Sequence, residues 1–224
     1  MKKLLLCAFA MLLVASAASA TVLWDQSNVN PNGEGSLNLG SNSCSQISGN
    51  TRVHNTSDVT FPQPVIITSI SIWESPGNVQ TATQAYLSIF PKTGPFPTLP
   101  SDSLYNPAKL VTITSAVVTQ NGLSCVKVTA AGLNRVLPAG DYWISLTPRH
   151  NRGSLFPWTV HHVTTGPIVG DPTRAIEACT VNSNWVTPLD PPYVGGLDYS
   201  LRVEGDFPVP TNSTTWGRLK FIYR

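Results

Sequence analysis

The amino-acid sequence predicts an all-β protein built as an antiparallel, jelly-roll-like β-sandwich, and three observations lead to this prediction. Apolar and polar residues alternate over several short runs, which is typical of strands with one buried face. Turn clusters separate these runs in a chain that holds 16 Gly and 19 Pro. Only 12% of the residues are charged, and the shortage of Glu, Lys and Arg disfavours helical bundles and coiled coils.

The first 20 residues have the pattern of a secretory signal peptide. Lys2 and Lys3 precede the apolar run Leu4–Val14, and Ala18-Ser19-Ala20 supplies the small residues of a cleavage site. The apolar run is too short to span a bilayer. We therefore expect a secreted protein whose mature chain begins at Thr21, located at the cell surface, outside the cell or in the periplasm.

The mature chain is expected to hold one domain over 21–207, followed by a linker and a short tail over 208–224. Removing the two lysines of the leader balances the basic and acidic residues of the chain. No basic field then remains to attract nucleic acid. No apolar run in the mature chain approaches the roughly 20 residues of a transmembrane helix.

Eight to ten strands are predicted from the alternation, in chain order. The clearest runs are Ile66–Trp73, Ala85–Phe90, Val111–Thr114, Tyr142–Thr147 and Tyr199–Glu204. Shorter candidates are Val22–Trp24, Val126–Thr129, Trp158–Val163 and Ala175–Cys179. In the first run Ile66, Thr68, Ile70 and Ile72 are expected to share the buried face, and the polar residues between Asp198 and Glu204 are expected to face solvent. The proline-rich stretch Pro91–Pro107 predicts an ordered surface loop, because proline cannot donate to a ladder of strand hydrogen bonds.

Four segments carry a resemblance to a known group of proteins: Leu23–Gln26, Val65–Trp73, Leu137–Leu146 and Leu197–Gly205. Their order resembles the secreted bacterial domains called choice-of-anchor domains, which often occur with PEP-CTERM-type sorting tails. The resemblance implies a β-sandwich on an exported protein and implies no reaction. The usual acidic segment of these domains is replaced here by Asp58-Val59-Thr60-Phe61, so an ion site at that segment is not expected.

Three cysteines remain once the leader with its Cys7 is removed: Cys44, Cys125 and Cys179. In an oxidising compartment this number indicates one disulfide and one free thiol, and three pairings are open. The polar surroundings of Cys44 and Cys179 favour a bond between them, which leaves Cys125 as a buried, inert thiol.

Two kinds of binding site can be placed on the sequence. Asn28, Asn30 and Asn32 have the alternate spacing of a calcium loop, with Asp25 or Glu34 to supply charge, although Asn and Gly are also common turn residues. Trp158, Trp185 and Tyr193 lie beside Pro, Gly and Asn, where aromatic rings could stack on sugars or simply pack in the core.

No assembled catalytic motif is present in the sequence: there is no HExxH, no zinc spacing and no GxSxG elbow. The adjacent histidines His161 and His162 would point to opposite faces of a strand and could not hold one ion together. We therefore expect a non-enzymatic cell-surface or extracellular-matrix protein with a structural or adhesive role. The alternative is a carbohydrate-binding module that uses exposed aromatic rings.

The tail is rich in aromatic and basic residues. Its prominent members are Trp216, Gly217, Arg218, Lys220, Tyr223 and Arg224. They follow a stretch of linker composition over 208–215, and the tail lacks the apolar length of a spanning anchor. The sequence indicates a sorting or attachment peptide that binds sorting machinery, or else a chain end that packs on the domain.

Overall fold

The computed structural model describes residues 20–30, 37–38, 53–74, 82–95, 109–148, 160–161, 174–177 and 198–208, and within these ranges every regular element is a strand. The strands are β1 (Thr21–Asp25), β2 (Leu37–Asn38), β3 (Val53–Phe61), β4 (Val65–Glu74), β5 (Gln84–Pro91), β6 (Lys109–Gln120), β7 (Leu123–Leu137), β8 (Gly140–Pro148), β9 (Val160–His161), β10 (Arg174–Glu177) and β11 (Leu201–Asp206).

The strands pair antiparallel in the order β1-β11-β4-β7-β6-β5-β8-β3-β10, with β9 joining β2 to β4. The sheet curls so far that β1 contacts β3, which makes its eight main strands nearly barrel-shaped. This arrangement confirms the prediction of an all-β, antiparallel protein.

One apolar core fills the inside of the curled sheet. Its largest fully buried side chains include Tyr199, Phe61, Ile67, Ile70 and Leu146. They come from β3, β4, β8 and the residues just before β11, so the core joins segments that are far apart in the sequence. Burial of this apolar surface is the main driving force for the fold.

The buried face of β4 changes phase within the strand, which corrects the predicted face. Val65 and Ile67 are buried in the first half, whereas Ile66 and Thr68 are only partly buried. The cause is a β-bulge at Thr68, which the pairing with both β7 and β11 skips. One extra residue moves every following side chain to the other face, so Ile70 and Ile72 complete the buried set.

β6 and β7 form a long hairpin that the alternation only partly predicted. Asn121 and Gly122 connect the two strands, with φ of 51° and 79°. Two positive φ values in a two-residue loop give the type I′ turn, whose twist matches that of the flanking strands. The predicted runs Val111–Thr114 and Val126–Thr129 are therefore fragments of two much longer strands, and β7 alone has 15 residues.

The remaining predicted runs either coincide with strands of the structure or lie partly outside the described residues. Ala85–Phe90 and Tyr142–Thr147 lie within β5 and β8, and the run from Tyr199 supplies β11 from Leu201 onwards. Only the first five residues of the proline-rich loop, 91–95, are among those described. Of the predicted leader over 1–20 and the predicted tail over 208–224, only Ala20 and Pro208 are among the described residues.

Candidate functional site

The segment after β1, Gln26–Asn30, runs from β11 to the turn of the β6–β7 hairpin, and we call it the strap. At its start the Gln26 backbone N–H donates to the Leu201 carbonyl at 2.8 Å. Further along, the side-chain amide of Gln120 donates to the Ser27 carbonyl at 2.9 Å. The strap is thus tied to two strands that lie apart in the sheet.

The middle of the strap is fixed by packing as well as by hydrogen bonds. The Val29 side chain is fully buried against Trp73 and Cys125 on the outer face of the sheet. Its carbonyl accepts a 2.9 Å hydrogen bond from the side-chain amide of Asn121, the first residue of the hairpin turn. The buried Val29 side chain, together with the hydrogen bonds on either side of it, fixes the path of the strap across the sheet.

Asp25, the charged residue proposed for the calcium loop, is exposed and binds neighbouring groups of the protein itself. Its Oδ1 accepts a 2.9 Å hydrogen bond from the Ser27 backbone N–H, and its Oδ2 lies 3.5 Å from Arg202 Nη1. Arg202 also pairs with Glu204 at 2.8 Å, and Glu204 accepts a 3.0 Å hydrogen bond from Ser69 Oγ. The three charged groups form one network on the outer face of β11.

Of the other residues of the predicted calcium loop, two are among the described residues and two are not. Asn28 and Asn30 belong to the strap and make interactions of their own. Asn32 and Glu34 lie outside the described residues. A calcium site formed by these five residues therefore stays a prediction.

A buried polar cluster lies where the strap meets the chain before β11. The Gln26 side-chain amide Nε2 donates to Asp198 Oδ2 at 2.9 Å, and the two residues are 7% and 2% exposed. Ser200, two residues after Asp198, is 0% exposed. Among the residues that the structure describes, neither Ser200 Oγ nor Gln26 Oε1 has a hydrogen-bond partner. Asp198 was expected to face solvent, and that expectation is wrong. Strand alternation says which way a side chain points, but not whether another segment covers it.

Glu74, at the end of β4, is the second buried acid that the sequence did not reveal. Its side chain is 0% exposed, and burial raises the pKa of its carboxyl well above the ordinary value. The sheet register places it opposite Val126 of β7 and His161 of β9. The alternation of apolar and polar residues predicts a strand that ends at Trp73, so it contains no sign that the next residue is buried.

A third polar group sits on the outer face of β3, β5 and β8. Lys92 Nζ donates to Asp58 Oδ2 at 2.5 Å and lies 5.0 Å from the centre of the Trp143 ring. Thr60 Oγ1 donates to Asp141 Oδ1 at 2.6 Å on the same face. Asp58 begins the segment where the resemblance to choice-of-anchor domains departs from their pattern, and here a lysine neutralises its charge.

Of Cys44, Cys125 and Cys179, the structure describes Cys125. Cys125 is a fully buried free thiol, as the sequence predicted. Burial raises the pKa of this thiol, which makes it a poor nucleophile. Cys44 and Cys179 lie outside the described residues, so the pairing between them stays a prediction.

Several other predicted site residues also lie outside the described part of the chain. They are the aromatic residues Trp158, Trp185 and Tyr193, and the tail residues Trp216, Gly217, Arg218, Lys220, Tyr223 and Arg224. The two sites that the structure does build from sequence-predicted residues are the Asp25 network and the strap.

Among the residues that the structure describes, no three His, Cys, Asp or Glu side chains are grouped so that they could hold a metal ion. The same ranges contain no helix of the length and hydropathy needed to cross a membrane. The chain has no match among protein-family models and no significant match among curated proteins or solved structures.

Proposed function

We propose that this chain is an exported, non-enzymatic protein of the cell surface or extracellular matrix, with a structural or adhesive role. The observation that supports the proposal is that charged side chains of the described fold form ion pairs with one another. Lys92 neutralises Asp58, and Arg202 bridges Asp25 and Glu204. These ionisable side chains bind one another and stabilise the sheet. The signal-peptide pattern of residues 1–20 supplies the route out of the cell.

We further propose that the curled sheet is a two-layered, jelly-roll-like sandwich. β6 pairs with β5 through its first four residues and with β7 through its last eight. A strand that changes partner in this way can form the corner between two layers. One layer would then hold β1, β11, β4 and β7, and the other β5, β8 and β3, with the apolar core between them.

The resemblance to choice-of-anchor domains belongs to the same proposal. β1, β4, β8 and β11 fall on the four segments that carry it. In this proposal residues 208–224 act as a sorting or attachment peptide, because Trp216 and Tyr223 are costly to expose without a partner.

Cell fractionation tests the proposal. The full chain is expressed in a Gram-negative host beside two variants, one lacking residues 2–20 and one ending at residue 207. Antibodies against the purified domain then measure its amount in cytoplasm, periplasm, cell surface and medium. We expect the full chain outside the cytoplasm and the leaderless variant inside it. The variant without the tail should change location, with a Tm within a degree or two of the full chain.

Two outcomes would contradict the proposal. Retention of the full chain in the cytoplasm would refute export. Reproducible turnover of a polysaccharide, ester or peptide that disappears on changing one Asp, Glu or His would show that the protein is an enzyme. Separately, an unchanged location together with a large loss of stability in the shortened chain would show that the tail is part of the fold.

A further inference from the structure

One edge of β6 is open along the second half of the strand, and we infer that two copies of this chain join through it in a symmetric dimer. β5 pairs with β6 from Lys109 to Thr112, and β7 pairs with the other side of β6 from Ile113 to Gln120. Among the residues that the structure describes, no strand pairs with the remaining edge over 114–119, which we call the open edge. Such a dimer does not depend on export, so it goes beyond the proposed function.

The backbone of the open edge directs hydrogen-bonding groups away from β7. The Ile113 N–H donates to the Thr83 carbonyl at 3.0 Å, on the β5 side of the strand. Backbone groups of successive residues point to opposite edges of a strand, and β6 pairs with β7 without a register shift. Ser115, Val117 and Thr119 therefore point their N–H and C=O groups to the same side as Ile113, along the open edge.

Both faces of the strand are accessible along the open edge. The residues from Thr114 to Val117 are all exposed, and Val117 is 74% exposed. Neither a charged residue nor a proline occurs between Lys109 and Lys127. Natural sheets usually protect an open edge from pairing with charges, prolines or bulges. An edge without these features, rich in Val and Thr, favours the addition of another strand.

The open edge is complementary to itself about a two-fold axis at Val117. In an antiparallel pair, two residues whose groups point towards each other exchange both N–H···O=C bonds. When Val117 lies opposite its own copy, Ser115 lies opposite the partner's Thr119, and Thr119 lies opposite the partner's Ser115. About six hydrogen bonds then form and use every outward backbone group of these three residues. Valine meets valine and hydroxyl meets hydroxyl, which are favourable pairs between neighbouring strands.

The neighbouring two-fold registers do not use the same groups. An axis at Ser115 would place Val117 opposite Ile113, whose N–H is already bonded. An axis at Thr119 would place Val117 opposite Asn121, which lies in the hairpin turn with φ of 51°. With the axis at Val117, each hairpin turn reaches only Ile113 of the other copy, just beyond the residues that pair with β5. Because this part of the chain carries no charge, no like charges face each other, and a second copy is the partner that the edge fits.

The contact is small, so we expect a weak and reversible dimer. One pair of strands buries less surface than the roughly 1,200–2,000 Å² of a standard protein interface. A Kd on the order of 100 µM is expected for such a contact. A two-fold contact closes on itself, so association should stop at two chains.

Sedimentation velocity of the full exported chain between about 10 µM and 1 mM tests the inference. We expect the mean mass to rise from that of one chain towards that of two chains. Val117→Lys places two like charges at the axis and should raise the Kd at least about 10-fold. The matched control is Val136→Lys, the same change at a valine that is 67% exposed and lies on β7 opposite Ile66 of β4. This control should dimerise like the wild type.

A covalent crosslink covers the case in which Val117→Lys does not fold. Opposite residues of a hydrogen-bonded antiparallel pair have Cα atoms about 5.5 Å apart, which is within the range of a disulfide. Val117→Cys should therefore give a covalent dimer under mild oxidation, seen on a non-reducing gel. Val136→Cys is the control for crosslinks through the other cysteines of the chain, and it should stay monomeric on the same gel.

Four results would overturn the inference. They are a wild type that stays monomeric up to about 1 mM, a Val117→Lys variant that dimerises like the wild type, a Val136→Lys variant that loses the dimer, and a Val117→Cys variant that crosslinks no more than Val136→Cys. A chain that ends at residue 207 should still dimerise. Loss of the dimer in that chain would indicate that the tail occupies the open edge, and it would refute the pairing of β6 with its own copy.

Discussion

Gly205 of β11 has no space for a side chain, and replacing it with alanine should destabilise the protein strongly. A Cβ at this position would overlap the Ile66 carbonyl oxygen and would lie 2.9 Å from both the Ile66 carbonyl carbon and Leu23 Cδ1. The main obstacle is backbone in the middle of the sheet, so no side-chain rotation can relieve the overlap. Gly205 faces β4 beside the bulge at Thr68, whose Oγ1 donates to the Glu204 carbonyl at 3.2 Å.

The size of the effect follows from what must move. To accept a methyl group, β11 has to shift away from Ile66, which weakens its pairing with both β4 and β1. Two or three hydrogen bonds at about 1 kcal/mol each, with an overpacking cost of about 1–3 kcal/mol, give a loss of roughly 3–5 kcal/mol. The lower entropy of the unfolded alanine chain returns less than about 1 kcal/mol.

Urea unfolding followed by circular dichroism measures this loss as a change in the free energy of unfolding. Gly94→Ala is the matched control, because a Cβ there meets nothing within 4 Å and its φ is not in the left-handed region. We expect the control to change stability by less than about 1 kcal/mol. A loss below about 1 kcal/mol in Gly205→Ala would refute the reasoning, since it would mean that β11 and β4 are not as close as described.

Three further substitutions test other parts of the fold. In the folded state the pKa of Glu74 is raised by burial, so this residue destabilises the protein progressively as pH rises above the pKa of the unfolded chain. The free energy of unfolding of Glu74→Gln should therefore rise relative to that of the wild type by up to about 1.4 kcal/mol per pH unit above about pH 4.5. If the difference in the free energy of unfolding between the two proteins narrows from pH 5 to 8 in urea titrations, this prediction is contradicted. Lys92→Met should cost about 2–4 kcal/mol in the same assay, because it removes the ammonium that faces the buried Asp58 carboxylate; adding Asp58→Asn should restore most of the loss, and no restoration would argue against charge as the cause. At Gly122 there is space for a methyl group, but φ is 79°. Gly122→Ala should therefore lower the free energy of unfolding by about 1 kcal/mol through backbone strain alone, which a lower Tm would reveal. An unchanged Tm would argue against the type I′ turn.

The sequence predicted the parts of the fold that depend on regular alternation. Ala85–Phe90 and Tyr142–Thr147 were found because inward residues such as Leu87 and Ile144 recur at every second position. The β6–β7 hairpin was missed, although Asn121-Gly122 is the strongest short hairpin signal. In β7, Gly132 and Asn134 have left-handed backbone conformations. They interrupt the extended backbone, so the apolar residues of β7 do not recur at every second position throughout the strand.

The buried face of β4 and the exposure of Asp198 were predicted wrongly because both depend on contacts between strands. The residue pattern of one strand holds no information about such contacts. The phase of β4 depends on the bulge at Thr68, which is fixed by pairing with two other strands. The buried Asp198 accepts a hydrogen bond from Gln26, a residue 172 positions away in the sequence. Both are properties of the assembled sheet. The candidate site was therefore predictable in its general region, from Asp25 onwards, but not in its buried members.

The low charge of the chain is related to the burial of both faces of β5 and β8. In β5 and β8, the residues that point away from the core are buried as well, including Ser88, Phe90, Trp143, Ser145 and Thr147. A charged side chain on a face buried in this way needs a partner, and only Asp58 with Lys92 supplies such a pair among the described residues of that face. Hydroxyl groups satisfy one another at lower cost, as Ser145 and Thr147 do at 3.1 Å. A sheet buried on both faces therefore favours Ser and Thr over Lys and Glu, which is why a chain with only 12% charged residues can still be rich in polar ones.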